Sequence, residues 1–324
     1  MDAEAAVRST TDRTMMALRA HERGGPEVLV YEEAPRPVPG RDEVSVTVRA
    51  AGITFAELTW PETWESHGVD RTPTIPSHEF AGVVTDVGPG VTDLAVGDPV
   101  FGLAPFNRDG AAAEFVVVPA ACVARKAATV SDVDAAAAVL PALTAWEALR
   151  DQAHVDAGQR LLVIGGTGAV GAFITQFAHG MGAEVTVTVT SASAEARARL
   201  LGADNVVVTA RGSEPHDLRG FDALIDAAGS DVPEWMYAAV RPGGQLIVLQ
   251  EPPSQILADK YGVTATFFVV STRRERLEEL GALLAANNVD VAVAQTFPLS
   301  AGRAAYESGS LPKPGPGKTV ILVS

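Results

Sequence analysis

The composition of the chain describes a folded, acidic protein. Its 324 residues correspond to roughly two domains, and 47% hydrophobic with 20% charged residues can form a substantial core, which excludes intrinsic disorder. The 25 basic and 40 acidic side chains give a formal net charge of −15, which repels nucleic acid and anionic lipid. Cys122 is the only cysteine, which excludes an intrachain disulfide and a zinc site built from several thiolates. We therefore expect a reducing compartment and no nucleic-acid partner.

The sequence contains no segment with the length and apolarity of a membrane span. Apolar runs fall short of the roughly 18 to 20 residues required, and the stretch Phe115–Val123 is broken by Pro119. Residues 1–14 carry charged side chains and no apolar h-region, which argues against a secretory signal, and we interpret them as a disordered tail. These features predict a cytoplasmic protein without a membrane partner.

The first part of the chain has the pattern of a β-rich domain. Valine alternates with other residues over Glu43–Arg49, and the apolar runs Val28–Tyr31 and Phe80–Val87 are also typical of strands. Proline and glycine clusters such as Pro35–Gly40 separate these runs. The pattern predicts a domain over residues 15–138.

The second part alternates short apolar strands with helical stretches. Residues Asp132–Asp151 predict an alanine-rich helix pair around Pro141. The spacing of the strands that follow suits βαβ units, and it predicts a doubly wound parallel sheet in a domain over residues 139–288. The predicted strands are Leu161–Ile164, Glu184–Val189, Asn205–Val208, Ala223–Asp226 and Gln245–Leu249.

The C-terminal part combines an edge strand, a helix and a return to strand character. The long apolar run Thr264–Val270 is expected at the edge of the sheet, and leucines at helical spacing predict a helix over Arg273–Ala286. Strand patterns then recur at Val289–Phe297 and Thr319–Val323. We expect residues 289–324 to rejoin the first domain.

The most specific motif is a glycine-rich turn between a strand and a helix. Gly166, Gly168 and Gly171 form the pattern G-x-G-x-x-G directly after Leu161–Ile164. The first glycine allows a tight turn, the second lets a pyrophosphate approach the backbone, and the third lets the helix pack against the strand. The alternative is an ordinary glycine-rich turn. We expect a dinucleotide to bind here, at the three glycines and the intervening Thr167, Ala169 and Val170.

The end of the second strand of this domain discriminates between NAD and NADP. An NAD site has a carboxylate there, about 20 residues beyond the glycines, that bonds the adenosine ribose. Here Ser191 and Ser193 offer hydroxyls to a 2′-phosphate, and Arg197, Arg199 or Arg211 can supply charge. The alternative for the arginines is a solvated helix face. The sequence favours NADPH as the cofactor.

These features together resemble the medium-chain dehydrogenase/reductase superfamily, in its zinc-independent, quinone oxidoreductase-like branch. The resemblance covers nearly the whole chain from Met16. It implies an α/β fold in which a GroES-like β-rich domain accompanies a Rossmann domain with a doubly wound parallel sheet, and a homodimer joined through the Rossmann sheets. The segments that carry it are Ala50–Ile53, Pro76–Val84, Val87–Val91, Val96–Gly102, Leu143–Leu149, Arg241–Gly244, Phe267–Val270 and Gly317–Val320.

The resemblance also implies further contacts with the cofactor. In that branch the nicotinamide and phosphates are contacted by a threonine of the first interdomain helix, by loops after later strands and by a lysine near the C-terminus. Phe268 and Val269 equally suit a core or dimer-edge strand, and Lys318 suits an ordinary surface position. The matching residues here are Thr144, Leu249, Phe268, Val269 and Lys318.

The ligand count argues against a catalytic metal. By the resemblance, the zinc alcohol dehydrogenases of the superfamily have a cysteine after the glycine–isoleucine pair, a histidine in a Gly-His-Glu element and a third ligand. Here Thr54 follows Gly52–Ile53, and His78 remains alone. Catalytic zinc requires three protein ligands, so we expect no metal and interpret His78 as a structural or hydrogen-bonding residue.

The residues that follow Ala50–Ile53 are the candidates for catalysis. The branch often has an asparagine and a tyrosine in this segment, and this sequence departs at both positions. The alternative interpretation is that the tryptophans of the segment cap the core and its glutamate is exposed. The nearby groups able to handle protons are Thr54, Glu57 and Thr59. An aromatic surface for a planar substrate would consist of Phe55, Trp60 and Trp64.

The function favoured by these features is NADPH-dependent reduction of a carbon–carbon double bond conjugated to a carbonyl, in a quinone or an enone. Hydride would pass to the electron-poor carbon, and hydrogen-bond donors would stabilise the enolate until it is protonated. The partner would be a small, planar or aromatic molecule. The alternatives are direct carbonyl or imine reduction in a biosynthetic pathway, and a nucleotide-binding protein without turnover.

Overall fold

The chain divides into two units. The structure, a computed structural model, describes residues 14–210, 213–215, 217–229, 231–312 and 314–323. The first unit contains the chain up to Val139 and again from Thr272 onward, and the second unit is Leu140–Ser271. The tail predicted over residues 1–14 lies outside the described residues, apart from Thr14.

The described residues contain the following regular elements. The strands are β1 (Thr14–Ala20), β2 (Leu29–Pro35), β3 (Glu43–Ile53), β4 (Glu65–Ser66), β5 (Val69–Asp70), β6 (Glu79–Val87), β7 (Pro99–Leu103), β8 (Phe115–Pro119), β9 (Val123–Arg125), β10 (Arg160–Ile164), β11 (Glu184–Val189), β12 (Asn205–Val208), β13 (Phe221–Asp226), β14 (Val240–Val248), β15 (Thr264–Phe267), β16 (Val293–Pro298) and β17 (Lys318–Leu322). The helices are α1 (Pro61–Trp64), α2 (Asp132–Trp146), α3 (Ala169–Gly180), α4 (Ala192–Leu200), α5 (Glu234–Ala239), α6 (Gln255–Tyr261), α7 (Arg274–Ala285) and α8 (Gly302–Glu307).

The second unit is built on a parallel sheet. Its strands lie in the order β12-β11-β10-β13-β14-β15, and every neighbouring pair is parallel. Numbered within the unit, the order is 3-2-1-4-5-6, which is the Rossmann order with its switch point between β10 and β13. The strands read as apolar runs because helices cover both faces of such a sheet, and Leu161–Ile164 is buried throughout. The predicted doubly wound parallel sheet is confirmed.

Two local predictions in this region are wrong. Helix α2 continues through Pro141 instead of breaking into a pair, and a π-helical turn, Glu147–Gln152, follows it. Proline removes a single helical hydrogen bond, and burial of the alanine-rich stretch Ala135–Val139 on all sides retains the helix. The strand predicted over 264–270 ends at Phe267, although it does form the edge of the sheet as expected.

The first unit is built on a mixed, mainly antiparallel sheet. Its strands lie in the order β16-β17-β3-β6-β7-β9, and β8 pairs with the first half of β3. The long central strand β3 is buried along most of its length, since valines at alternate positions face the core. Its end meets the starts of β6 and β17, with Gly52 opposite Glu79 and Ile53 opposite Thr319. This junction positions the polar residues described below.

The C-terminal return begins earlier than the predicted residue 289. Helix α7 belongs to the first unit, where Leu277 and Leu280 are fully buried and Gly281 lies against the ring of Phe101. The guanidinium of Arg274 also binds the carboxylate of Asp93 and a backbone carbonyl. The leucine pattern predicts the helix but does not indicate which of the two units the helix packs in. Within the described residues, the helices are too short or too polar to cross a membrane.

Candidate active site

The glycine turn after β10 is built differently from the prediction. The residue with left-handed backbone is Gly165, at φ +77°, which the sequence analysis did not include in the motif. At Gly166 a Cβ atom would lie 2.5 Å from Cβ of Val187, so this glycine is required for contact with the neighbouring strand β11. At Gly171 a Cβ would lie 2.1 Å from the carbonyl oxygen of Gly165. The tight turn therefore depends on Gly165, and helix packing depends on Gly171.

Two buried threonines fix the conformation of this turn. Thr175, on α3, donates from its hydroxyl to the carbonyl oxygens of Gly166 (3.0 Å) and Gly171 (2.8 Å). Thr188, on β11, accepts the N–H of Gly165 at its hydroxyl, and its carbonyl accepts the N–H of Gly166, both at 3.1 Å. These hydrogen bonds hold the turn in one shape before any ligand is present.

The turn leads into a helix whose first turn has no side-chain cap. Gly168 is the N-cap of α3 and has no side chain to occupy the amides of the first turn. The loop after β13 is fixed at the same sheet edge, because the buried carboxylate of Asp226 accepts the N–H of Ala228 (2.9 Å) and Ala228 contacts Gly165. An uncapped helix N-terminus at the switch point of a parallel sheet suits a pyrophosphate group.

The end of β11 carries the residues predicted to select NADPH. Ser191 is the N-cap of α4, where its hydroxyl accepts the N–H of Ala194 (3.3 Å) and lies 3.0 Å from the hydroxyl of Ser193. Both serines are exposed, and Arg197 is half-buried on the same helix. Arg199 is bound to Glu195 (2.9 Å), as expected of a solvated helix face. Arg211 lies outside the described residues.

The remaining residues predicted to contact the cofactor occupy varied positions in the second unit. Thr144 lies on α2 and donates its hydroxyl to the carbonyl of Leu140 (2.8 Å), which leaves the oxygen able to accept. Leu249 follows β14 directly and is half-buried. Phe268 and Val269 follow β15, and Val269 is 61% exposed, so they are not core strand residues.

In the first unit, Glu57 is the centre of a buried hydrogen-bond cluster. Its carboxyl group accepts the hydroxyl of Tyr306 at one oxygen and the backbone N–H of Ser77 (3.0 Å) at the other. Ser77 has left-handed backbone, φ 68°, and its hydroxyl donates to the carbonyl of Gly52 (2.8 Å). Glu57 is 1% exposed, so the alternative of an exposed glutamate is wrong. The carboxyl joins three segments that are distant in the chain.

Burial sets the protonation of this cluster. Desolvation raises the pKa of Glu57 from 4.5 to about 7, although the bonds from Tyr306 and Ser77 and the charge of Lys318 oppose the rise. Desolvation also lowers the pKa of His78 to about 3, assisted by the charge of Arg71. Nε2 of His78 lies 3.9 Å from Oε2 of Glu57, and because the imidazole is neutral the two do not form an ion pair.

A second polar cluster lies where β3 ends and β6 and β17 begin. The ammonium of Lys318 binds Oε1 of Glu79 and donates to Oγ1 of Thr54 at 2.9 Å. The hydroxyl of Thr54 in turn donates to the same carboxylate oxygen, at 3.1 Å. Lys318 and Glu79 are 7% and 1% exposed, while Thr54 is only half-buried. Lys318 is therefore a buried, ion-paired residue and not the exposed lysine of the alternative.

The aromatic residues of the segment after β3 separate into two groups. Trp64 is 4% exposed and belongs to the core, where its indole N–H donates to the carbonyl of Leu58 (2.9 Å), as in the alternative in which the tryptophans cap the core. Trp60 is half-buried and packs edge-on against Phe106, which also packs edge-on against His78. The short helix α1 turns Trp64 inward and leaves Trp60 at its start, nearer the surface.

The last two residues of the segment have limited roles in the structure. Phe55 is half-buried against the core and lies next to Gly309. Thr59 is exposed, and its hydroxyl donates to the carbonyl of Ala56 (2.6 Å). Of the three groups predicted to handle protons, Glu57 is enclosed and Thr59 donates to the backbone. Thr54 is the one linked to a buried charge.

A recognisable metal site is absent from the part of the chain that the structure describes. Among the described residues, no group of three or more His, Cys, Asp or Glu side chains is arranged to hold a metal ion. Thr54 occupies the position after Gly52–Ile53, where its hydroxyl is engaged by Lys318 and Glu79. A hydroxyl in these contacts does not replace a thiolate ligand.

Comparison with known proteins identifies the family. The family described as alcohol dehydrogenase GroES-like domain matches residues 40–128, and the family described as zinc-binding dehydrogenase matches residues 169–260. A 2-haloacrylate reductase from a Burkholderia species is 28% identical over 323 residues, which cover 90% of this chain and 95% of that protein. A quinone oxidoreductase from Coxiella burnetii superposes with a TM-score of 0.85 at 25% identity, covering 96% of this chain and 100% of that one.

The chain belongs to the medium-chain dehydrogenase/reductase superfamily. Its full-length likenesses place it in the quinone oxidoreductase-like branch. The chain is also 34% identical over 193 residues to a mycocerosic acid synthase-like polyketide synthase of Mycobacterium tuberculosis, which is 59% of this chain and 9% of that protein. The chain thus spans 9% of the length of that synthase, and 8% of the length of a phthioceranic/hydroxyphthioceranic acid synthase of Mycobacterium bovis.

The residues of the glycine turn fit a nicotinamide dinucleotide. A Cβ atom at Gly166 or Gly171 would clash with the packed turn, and the exposed Gly168 leaves the first amides of α3 accessible. A bound cofactor would supply hydride for the reaction, and α3 would hold its pyrophosphate.

Several residues of the site escaped the sequence analysis. Gly165 precedes the recognised motif, and it could have been found from the first position of the alternative spacing G-x-x-G-x-x-G. Glu79 stands beside His78 in the recognised segment, but nothing local indicates its lysine partner. Tyr306 lies 249 residues from Glu57, and no local signal connects them.

Proposed function

We propose that this protein reduces a carbon–carbon double bond conjugated to a carbonyl, with NADPH as hydride donor and without a metal. The likeness to a 2-haloacrylate reductase supports a conjugated alkene as substrate, because a haloacrylate is an alkene conjugated to a carboxyl group. The quinone oxidoreductase from Coxiella burnetii supports the same electronic type of acceptor. Trp60 and Phe106 offer partly exposed aromatic edges suited to a planar molecule.

The observation that carries the proposal is the donor chemistry at residue 54. Thr54 carries a hydroxyl held by a buried ammonium–carboxylate pair. Such a group can donate a hydrogen bond or a proton to an oxyanion that develops as hydride arrives. Alkene reduction needs that donor, and it needs no Lewis acid because the conjugated carbonyl already withdraws electron density.

The test is oxidation of NADPH by the purified protein with a panel of quinones, enones, aldehydes and imines, before and after exhaustive chelation. We expect turnover with enones or quinones, unchanged activity after chelation, and a product saturated at the former double bond. Turnover confined to aldehydes or imines would replace the proposal by carbonyl or imine reduction. NADPH binding without turnover of any member would favour a nucleotide-binding protein.

The preference for NADPH is supported by the end of β11. Ser191 and Ser193 present exposed hydroxyls there, and Thr190–Ala194 contains no carboxylate that would repel a 2′-phosphate. Two charge-assisted hydrogen bonds of roughly 1.5 to 3 kcal/mol each would favour NADPH over NADH by on the order of a hundredfold or more before desolvation is counted.

Replacing Ser191 with aspartate tests the preference. Aspartate is as good an N-cap as serine, so Ser191→Asp should keep α4 while its charge repels the phosphate. Ser254 is a matched control, because it caps α6 through the same kind of bond to Leu257 (3.3 Å). Fluorescence titration should show a narrowed or inverted preference in Ser191→Asp and the parental preference in Ser254→Asp. Equal affinities in the parent would refute the assignment.

A further inference from the structure

In the cluster of Lys318, Thr54 and Glu79, the carboxylate of Glu79 accepts hydrogen bonds from both of the other side chains. Thr54 accepts one N–H from Lys318 at 2.9 Å and donates its single proton to Glu79 at 3.1 Å. Oε1 of Glu79 also receives an N–H from Lys318. If the Thr54 hydroxyl turned toward another acceptor, the carboxylate would still be bound by the ammonium. The Thr54 proton is therefore the replaceable one.

Lys318 makes the Thr54 hydroxyl a stronger donor. A cation that donates to a hydroxyl oxygen polarises its O–H bond, and the effect is larger in a site with few competing waters. Lys318 and Glu79 are almost fully buried, whereas Thr54 is half-buried. Of the three, Thr54 is therefore the group most accessible to a ligand, and it transmits the influence of the buried ammonium.

We infer that Thr54 and Lys318 form a proton relay, in which Thr54 protonates the reduced substrate and Lys318 restores the proton to Thr54. The inference rests on the proposed function. Thr54 would be the catalytic residue, because in this relay it would contact the substrate. Lys318 would be a positioning residue that also resupplies the proton, and Glu79 would hold the ammonium in place.

The relay balances as follows in protons and electrons. A bound reduced nicotinamide would supply hydride to the β-carbon, where the carbon–carbon π bond would break and the charge would move to the carbonyl oxygen as an enolate. The enolate C=C electron pair would then form the new C–H bond with the Thr54 hydroxyl proton as the Oγ–H bond breaks and the C=O π bond re-forms. A Lys318 N–H proton would pass to the Thr54 oxygen, and the resulting neutral amine would take a proton from water, which leaves as hydroxide.

This role differs from the one that the family resemblance implies for Lys318. A lysine that contacts the cofactor phosphates would contribute to NADPH affinity. A lysine committed to Glu79 and Thr54 would instead contribute to turnover, with little effect on cofactor affinity. The two roles thus predict opposite patterns of kcat and of the Kd for NADPH.

The experiment measures both quantities in substitutions at residues 54 and 318. Thr54→Val removes the hydroxyl without changing charge, and kcat on the best enone should fall about 100-fold or more. Thr54→Ser keeps the hydroxyl and should retain kcat within about tenfold. In each variant the Kd for NADPH, measured by fluorescence titration without substrate, should change less than about threefold.

Lys318 requires a charge-balanced variant, because Lys318→Gln alone leaves Glu79 buried without its cation and can prevent folding. The double variant Glu79→Gln with Lys318→Gln removes both charges, and its folding is checked by circular dichroism. Its kcat should fall about 100-fold while the Kd for NADPH stays within about threefold. Lys126→Gln is the matched control, because Lys126 is also a buried lysine of the first unit. Its ammonium donates to the carbonyl of Val130 (2.6 Å) and lies 3.3 Å from the carboxylate of Asp132. The kcat of this variant should be unchanged.

Two different failures can be told apart. If the unmodified protein reduces no enone or quinone, the proposed function fails and the relay fails with it. If the unmodified protein turns over but Thr54→Val keeps its kcat within about threefold, the relay alone is refuted. A rise in the Kd for NADPH of tenfold or more in the charge-balanced double variant would likewise refute it, in favour of a cofactor-binding lysine; about tenfold corresponds to 1.4 kcal/mol.

Discussion

Replacement of Glu57 with glutamine should change how the stability of this protein depends on pH. Glutamine has the shape of the glutamate side chain and is neutral at every pH. Its oxygen can accept the Ser77 N–H, and its NH₂ group can donate to the hydroxyl of Tyr306, which then acts as acceptor. The variant therefore keeps the packing and hydrogen bonds of the cluster and removes its titration.

The magnitude follows from the pKa of Glu57. Burial raises this pKa from 4.5 to about 7, so between these values the folded protein binds a proton that the unfolded chain has released. Stability therefore falls as the pH rises through this interval. At 1.36 kcal/mol per pKa unit, the loss is about 3 kcal/mol by the time Glu57 is fully ionised. Because the side chain is 1% exposed, solvent does not reduce this value appreciably.

His78 changes the stability of the protein with pH in the opposite direction to Glu57. Its pKa is lowered from 6.5 to about 3, so the unfolded chain binds the extra proton and stability rises with pH between these values. This contribution is present in both the parent and Glu57→Gln. The difference in stability between the two proteins therefore isolates Glu57.

Urea unfolding, monitored by circular dichroism, measures this difference at about pH 5 and about pH 8. Relative to the parent, Glu57→Gln should gain about 2.5 kcal/mol in free energy of unfolding between the two pH values, because part of the total effect already lies below pH 5. A difference that varies by less than about 1 kcal/mol would refute the buried, proton-binding state of Glu57.

Three further predictions concern packing and assembly. Trp64→Ala should lower the free energy of unfolding, measured by urea titration, by about 3 to 5 kcal/mol. Trp60 is half-buried, so Trp60→Ala should lower it by less than about 2 kcal/mol. Equal losses in the two variants would contradict the assignment of Trp64 to the core. Gly171→Ala should abolish NADPH binding in fluorescence titration, because the new Cβ would lie 2.1 Å from the carbonyl oxygen of Gly165. Gly180→Ala, in the same helix, is the control: its Cβ would meet no atom within 4 Å, so NADPH should bind normally. The homodimer predicted from the family should appear by sedimentation at micromolar concentration, and a monomeric mass would contradict it.

The sequence by itself determined the type and order of most elements of the second unit, and of helix α7, which follows it in the chain and belongs to the first unit. The predicted strands 184–189 and 205–208 coincide with β11 and β12, and the predicted helix 273–286 differs from α7 by one residue at each end. Such elements are encoded locally, because the periodicity of apolar residues directly reflects strand or helix geometry. The glycine motif was recognised for the same reason, although its first essential residue, Gly165, depends on a backbone angle that the spacing did not reveal.

Tertiary structure alone decided which side chains share a site. Lys318 lies 264 residues from Thr54 and 239 from Glu79, and they meet because β17 and β6 flank the end of β3 in one sheet. Likewise Trp64 is core and Trp60 is not, since the turn of α1 points only one of them inward. Local patterns specify an element and its buried face, but side-chain contacts across a sheet depend on strand order and register. Those are set by packing of the whole chain.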